Sequence, residues 1–435
     1  MTFSPLNFEI FATSSVSHAR LGRVTTPHGS FDTPAFMPVG TRGSVKGLLP
    51  QSVVETGSQI VLNNTYHLML RPGSELIAGM GGVHRFMNWP GPILTDSGGY
   101  QAYSLSDTNR VDDDGVTFKS IVDGKEVRLA PEDAVRIQNE LGADIMMALD
   151  DCPPSMDPRA GTVTQDRLKA AAARDTKKNT IYDHGKRLAI ANERTVRWLE
   201  RCKVEHAKGH ASARQQALFG IVQGGTDLER RTWSAERVCG VELPGYAIGG
   251  VAVGEPFEAI AAVVRHTAPL LPRDKPRYLM GVGYERDIVA AVRSGIDMFD
   301  CVLPTRNGRN ANAFTPTGQV RLRNARFATD QGPIDAGCDC QACSPGNYGW
   351  KTPDGRAFSR GYIRHLFMVG EMLGPILVSL HNVRHFQRLM LDIRGAIRED
   401  DWVGLVNRWP VTAAGLSASA GLDRGPGATP VVCEG

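Results

Sequence analysis

The feature that most constrains the fold is a repeated unit: a short apolar run of strand length, a polar or glycine-rich end, then a longer helix-compatible stretch. Ile60–Leu62 leads into Asn63-Asn64-Thr65, Ile93–Leu94 into T-D-S-G-G-Y-Q, and Ile145–Leu149 into Asp150-Asp151-Cys152. Leu218–Val222 leads into Q-G-G and Tyr246–Ile248 into G-G-V-A-V-G-E. Tyr278–Met280 and Met298–Leu303 complete the series, with helix-compatible Asp287–Ser294 between them. An early strand near Val39–Val45 brings the total to about eight strands in β/α alternation. This pattern implies an α/β fold with a parallel sheet, closed as a (β/α)8 TIM barrel or open and doubly wound. No G-x-G-x-x-G follows the first strand and no Walker A sequence occurs, so the barrel is the expected architecture.

In either architecture the chemistry sits at the carboxyl ends of the strands, where the polar residues of this chain fall. Asp300 lies inside an apolar run, where an ionised carboxylate is costly without a partner or a task. Asp96 precedes Gly98-Gly99, which lets backbone and carboxylate approach a ligand together. Alternation along a strand allows only one of Asp150 and Asp151 to face the barrel mouth. Asp150, Gln223 and the backbone at Gly249-Gly250 together offer donors and acceptors to a flat heterocycle. Taken singly, each of these residues also reads as a helix cap or turn residue. Carboxylates around a sugar carbon suit glycosidic chemistry, on a sugar or on the N-glycosidic bond of a nucleoside. Arg306, Arg309, Arg321, Arg323 and Arg326 follow Asp300 and favour a phosphate-bearing substrate over a solvated basic surface.

The pattern is interrupted twice. The 153–216 connection is long and helix-compatible over Ala170–Cys202. From Asp166 to Arg214 it holds 13 Lys or Arg against 6 Asp or Glu, read as a solvated helical face or a polyanion-facing surface. The second interruption carries C-D-C-Q-A-C, with thiols Cys338, Cys340 and Cys343, then a flexible excursion over Pro345–Arg356. Three thiolates so close suit a soft or borderline ion such as zinc, more than an iron–sulfur cluster or disulfides. His365, His381 and His385 are all within reach as a fourth ligand, and spacing does not choose among them. Tyr362–Leu373 and Ile376–Arg394 read as helices broken at Gly374-Pro375. Residues 1–410 form the expected barrel domain with a zinc-binding subdomain at about 330–395, and 411–435 a disordered tail. No run of about 18 apolar residues and no basic-then-apolar leader occurs, so no membrane span is expected and the compartment is the cytoplasm.

V-L-N-N-T-Y-H-L-M-L-R-P-G, L-T-D-S-G-G-Y-Q, L-F-G-I-V-Q-G-G, G-Y-A-I-G-G-V-A-V-G-E, R-Y-L-M-G-V-G and D-M-F-D-C-V-L-P-T-R-N-G-R resemble the tRNA-guanine transglycosylases over about Phe8–Asn407. The resemblance implies an irregular (β/α)8 barrel with a zinc-binding subdomain, and His381, in L-H-N, as the fourth ligand. It implies Asp300 as nucleophile on C1′ of the wobble guanosine (position 34) and Asp96 as general acid/base. Asp150, Gln223 and the Gly250 amide would read the base edge, with Tyr100 and Met280 against its faces. Arg306 and Arg309 would meet the tRNA backbone. Cys152, Val253 and Glu255 resemble the bacterial pocket, where the backbone around Val251 accepts from the aminomethyl group of preQ1 (7-aminomethyl-7-deazaguanine). The expected substrates are therefore preQ1 and tRNAs with GUN anticodons, with queuine as the alternative base and a homodimer as the assembly. Phe358 stands where the family's dimer contact usually has Trp, although Tyr362 and His365 match. A non-catalytic zinc-stabilised RNA-binding subunit and a sugar glycosidase are the competing classes. Intact Asp96 and Asp300 oppose the first, and the cysteine and arginine clusters oppose the second.

Overall fold

The computed structural model describes residues 5–105, 109–157, 183–209, 215–252, 254–349 and 356–419. An antiparallel sheet, β1 (Asn7–Thr13), β2 (Arg20–Thr26) and β3 (Gly29–Thr33), precedes the parallel strands β4 (Ala35–Gly40), β5 (Val61–Asn63) and β6 (Ile93–Thr95). A second antiparallel sheet follows: β7 (Asn109–Asp112), β8 (Gly115–Lys119) and β9 (Glu126–Leu129). Then come β10 (Ile145–Met147), β11 (Ala217–Val222), β12 (Gly245–Ile248), β13 (Arg277–Leu279) and β14 (Met298–Cys301), and the hairpin β15 (Asn312–Thr315) and β16 (Gly318–Arg321). Strands β4, β5, β6 and β10 to β14 close in sequence order into one parallel barrel, with β14 pairing back onto β4. The expected architecture is present. The first barrel strand is Ala35–Gly40 rather than Val39–Val45, because Gly40 and Gly43 turn the chain just after Val39.

Alternate strand residues divide into two cores, as the pleat requires. Met37, Leu62, Leu94, Ile145, Met147, Phe219, Ile221, Tyr278 and Met298 fill the barrel interior, while Phe36, Met146, Leu218, Tyr246, Leu279 and Phe299 pack under the outer helices. Leu6, just before β1, and Val24 and Phe31 of the N-terminal sheet join the interior cluster and close the floor. Arg20 and buried Asp297, just before β14, are 2.6 Å apart there.

The helix Leu373–Glu399 runs alongside the barrel, and its Asn382 fastens it to the segment after β14. Asn382 Nδ2 donates to the Pro304 and Asn312 carbonyls, and its Oδ1 accepts from the Phe314 amide. Gly308 explains the tightness of this crossing: a Cβ there would sit 2.8 Å from the Ser379 backbone. The break before this helix is at Gly370, which adopts φ 79° as the cap of Arg360–Val369. Gly374-Pro375 instead opens the long helix, where proline's missing N–H leaves no gap in the hydrogen-bond ladder.

Two further expectations change. The tail is ordered at its start: Ala413–Ala418 is helical, and Gly415 packs so closely on Arg286 that a Cβ would lie 2.1 Å from its carbonyl oxygen. Residues 420–435 lie outside the described residues. Within the long connection, His184–Lys208 is one helix, and its arginines are engaged internally. Arg187 and Arg194 pair with Asp151, Arg194 and Arg197 with Asp113, and Arg201 with Glu132. Arg187 and Arg194, largely buried, dock the helix against Asp151, whereas Lys186, Arg197, Lys203 and Lys208 are exposed and form the expected solvated face. Residues 158–182, with the rest of the basic excess, lie outside the described set.

Candidate functional site

The carboxyl ends of the strands surround a cavity of about 550 Å³, lined by Asp96, Tyr100, Asp150, Cys152, Gln223, Gly250, Val251, Met280, Asp300 and Arg306 among others. Strand parity sends Asp300 inward, two residues beyond Met298, and Asp96 inward, two beyond Leu94. Asp300, which lines the cavity, accepts at Oδ1 from the Tyr278 hydroxyl at 2.5 Å and from the Gly281 amide at 2.8 Å, and among the described residues nothing donates to its Oδ2. Burial nevertheless raises its pKa, against the opposing effect of these two donors.

Asp96 is fixed more fully. Its Oδ1 accepts from the Thr65 amide at 2.9 Å, its Oδ2 from Asn64 Nδ2, and its backbone carbonyl from the Thr65 hydroxyl at 2.5 Å. Desolvation lifts its pKa to about 7, with the Asp300 charge adding to the rise against the donors that lower it. A carboxyl so poised exchanges protons near neutral pH. Asp150 accepts from Gln223 Nε2 at 2.6 Å and Ser97 Oγ at 3.3 Å, and burial raises its pKa to about 6.

Of the Asp150–Asp151 pair only Asp150 faces the cavity, but strand alternation is not the reason. The strand ends at Met147, and the turn beyond it, not the pleat, points Asp150 inward. Asp151 faces outward onto Arg187 and Arg194, at 2.7 and 2.6 Å.

Gly250 adopts φ 64° and sits against Gln223, where a Cβ would meet Oε1 at 2.1 Å, so a side chain cannot be accommodated. Tyr100 and Met280 both line the cavity, and Cys152 is buried with its thiol pushed too high in pKa to ionise. Arg306 reaches the lining, whereas Arg309, one turn on and half-buried, does not. Glu255 also stands outside the lining, though its charge acts on Tyr100 and Arg231. Val253 lies outside the described residues.

The sequence reading missed four supporting residues: Asn64, Thr65, Tyr278 and Arg231. Tyr278 was legible as a hydroxyl inside an interior strand. Arg231, fully buried on Leu228–Cys239, gave no pattern signal within the basic run L-E-R-R.

Cys338, Cys340, Cys343 and His381 are all buried, with ligand atoms within 4.8 Å of one another. His381 Nδ1 lies 3.4 Å from Cys343 Sγ and 3.7 Å from Cys340 Sγ, spacings that suit ligands around one tetrahedral ion. Its Nε2 is 2.8 Å from the Phe314 carbonyl, which holds the proton there and leaves Nδ1 free to coordinate. His365 is exposed on another helix, and His385 bonds Glu285 at 2.8 Å, so geometry selects His381. A second cluster, His28, His84 and Asp144, lies at the amino ends of the strands. There the Asp144 oxygens already face both imidazoles and accept the His28 and Ile93 amides, which makes the cluster a floor clamp.

A model of the family described as queuine tRNA-ribosyltransferase matches residues 15–178 and 165–412. A queuine tRNA-ribosyltransferase of Thermus thermophilus is 48% identical over 395 residues, 91% of each chain. Those of Herpetosiphon aurantiacus and Symbiobacterium thermophilum are 48% identical over 403 residues (93% of this chain, 92% of the relative) and 44% over 433 (99% and 98%).

Proposed function

The chain belongs to the queuine tRNA-ribosyltransferase family and is a tRNA-guanine transglycosylase; we propose that it replaces guanine at the wobble position of GUN-anticodon tRNAs (Asp, Asn, His and Tyr) with preQ1. The observation that carries the mechanism is the convergence of three carboxylates on one cavity, Asp96 and Asp150 buried and Asp300 half-buried, none with an ion-pair partner among the described residues.

In this reading the wobble base leaves its stack and enters the cavity. An Asp300 oxygen attacks C1′, the C1′–N9 bond breaks, and Asp96 gives its proton to the departing guanine. The incoming base loses a proton to Asp96, its nitrogen attacks C1′, and the Asp300 ester bond breaks. Two displacements retain the anomeric configuration. Tyr278 and the Gly281 amide hold Asp300 in place and stabilise it when it departs as a carboxylate. Asp150, Gln223 and the Gly250 amide read the base edge, and Tyr100 and Met280 cover its faces. Cys152, Val251 and Glu255 shape the end that takes the aminomethyl group. Arg306 and Arg309 meet tRNA phosphates.

Zinc fits the three-thiolate, one-imidazole donor set of Cys338, Cys340, Cys343 and His381, and its role is structural. His381 and Asn382 are adjacent, so the metal secures the helix that is fastened to the segment after Asp300. Homodimerisation is supported by exposed apolar residues beside this subdomain, Met372 at 79% and Leu49 at 71%, with Met368 and Val369, flanking a groove that includes Phe358. No helix among the described residues is long and apolar enough to cross a membrane, and the cytoplasm is the proposed compartment.

The name of these relatives, queuine tRNA-ribosyltransferase, favours queuine as a second reading of the incoming base. Release of labelled guanine from the wobble position of tRNA is the test, with preQ1 and with queuine in parallel. Release with preQ1 and not with queuine is the expected result. Release with queuine alone would replace preQ1, and no release with either would overturn the exchange reaction.

A further inference from the structure

We propose that Arg231 is a positioning residue for base recognition: its guanidinium fixes the Gly249–Val251 backbone so that the Gly250 and Val251 amides stay available to the base. The inference rests on the reading of the cavity as a base pocket. Arg231 is wholly buried in the first turns of Leu228–Cys239 and reaches back toward the barrel mouth. Its Nε donates to the Gly225 carbonyl at 2.9 Å, and its Nη1 to the Val222 and Gly249 carbonyls, both at 2.8 Å. Its Nη2 donates to the Gly250 carbonyl at 3.3 Å. Among the described residues it forms no ion pair. A buried cation is therefore held by backbone carbonyls from the carboxyl ends of two neighbouring barrel strands, an arrangement that carries a large desolvation cost.

A side chain that only docked a helix would be cheaper as a hydrophobe. The guanidinium does something no hydrophobe can, because its planar fork fixes several carbonyl directions at once. In a trans peptide the N–H lies opposite the C=O. With the Gly249 and Gly250 carbonyls both turned to Arg231, the amides of Gly250 and Val251 are turned away from it. Both residues line the cavity, and among the described residues neither amide donates to a protein acceptor. Gly224 permits the close approach of the helix that carries Arg231: it adopts φ 145°, and a Cβ there would lie 2.9 Å from the Arg231 backbone nitrogen and 3.2 Å from its Cδ.

Lysine keeps the charge but concentrates its donors on one nitrogen, which cannot span carbonyls from two strands in the same way. Methionine keeps the volume and removes every donor. Guanine binding by calorimetry, tRNA binding by filter retention and Tm are compared for wild type, Arg231→Lys and Arg231→Met. The expected result is a guanine Kd weakened at least tenfold in Arg231→Lys, and further in Arg231→Met if it folds, with tRNA affinity changed less than twofold. A guanine Kd within twofold of wild type in Arg231→Lys would overturn the proposal. So would parallel losses of guanine and tRNA affinity that track Tm, the mark of a merely structural residue. Guanine binding is read without turnover, so a wild type that bound guanine but failed to exchange it would count against the proposed reaction and not against this role of Arg231.

Discussion

The two ends of the barrel treat buried aspartates in opposite ways. At the floor, Asp297 pairs with Arg20, and Asp144 lies between His28 and His84, whose presence holds its pKa below the usual value despite burial. At the mouth, Asp96, Asp150 and Asp300 are held mainly by neutral donors, and burial raises all three. Strand β14 shows the contrast within four residues, with Asp297 at its foot and Asp300 near its head. Neighbouring Asp150 and Asp151 show it across one peptide bond. A compensated buried charge is tolerated by a fold and costly to unpair, and an uncompensated one stores reactivity at a cost in stability.

The largest effect that tests this contrast comes from exchanging the ends of β14. Asp300→Asn is expected to lower guanine exchange by at least about 10³-fold while leaving Tm unchanged or higher. Asp297→Asn should cost about 3–5 kcal/mol by denaturant unfolding, since it strands Arg20, while each folded molecule keeps its exchange rate. An Asp297 variant that folds normally but is inactive would break the division between the two ends.

Asp96→Asn is expected to slow exchange by about 10²–10⁴-fold. It also carries a stability signature whose sign follows from the pKa. The folded value is raised from 3.8 to about 7, so the folded state holds its proton more tightly than the unfolded one. The stability of the wild type therefore falls as pH rises from about 4 to 7. Asp96→Asn should be more stable than wild type at pH 8, on the order of 2 kcal/mol, with the advantage gone at pH 4. Asp144→Asn should show the reverse, because a lowered pKa contributes stability above the unfolded value and loses it as the pH falls. Urea unfolding at the two pH values would distinguish them.

Smaller effects follow from the metal site and the surface. Cys340→Ser should lower bound zinc, measured by mass spectrometry of the native protein, and lower Tm, with exchange falling only as far as the segment after β14 loosens. Arg306→Ala should weaken tRNA binding and flatten its salt dependence. Arg194→Met should leave that salt slope unchanged and cost about 1–3 kcal/mol, since it removes one of the two arginines on Asp151.

The barrel was legible because each strand is a compact apolar run with its polar residues at one end. Asp96 and Asp300 were legible by the same logic, as carboxylates an interior position would not otherwise tolerate. The helix His184–Lys208 was legible in part: its exposed lysines form the solvated face, but composition does not record where Asp113, Asp151 and Glu132 lie in space to take up its arginines. The three histidines near the thiols were equivalent in spacing; motif resemblance pointed to His381, and packing gives the physical reason, with His365 exposed, His385 bonded to Glu285 and His381 turned inward. Arg231 was invisible because its partners are carbonyls, which every residue carries. The division of roles among the mouth aspartates came from motif resemblance; the structure adds the hydrogen bonds and burial that make those roles chemically reasonable.

The central claim is that Asp300 is the uncompensated carboxylate that attacks. The direct measurement is to incubate the protein with tRNA in the absence of an incoming base, quench under denaturing conditions, and map any covalent adduct by peptide mass spectrometry. The account predicts an adduct on the peptide containing Asp300, absent from Asp300→Asn and released from wild type by preQ1. An adduct on another residue, or one that persists in Asp300→Asn, would contradict it.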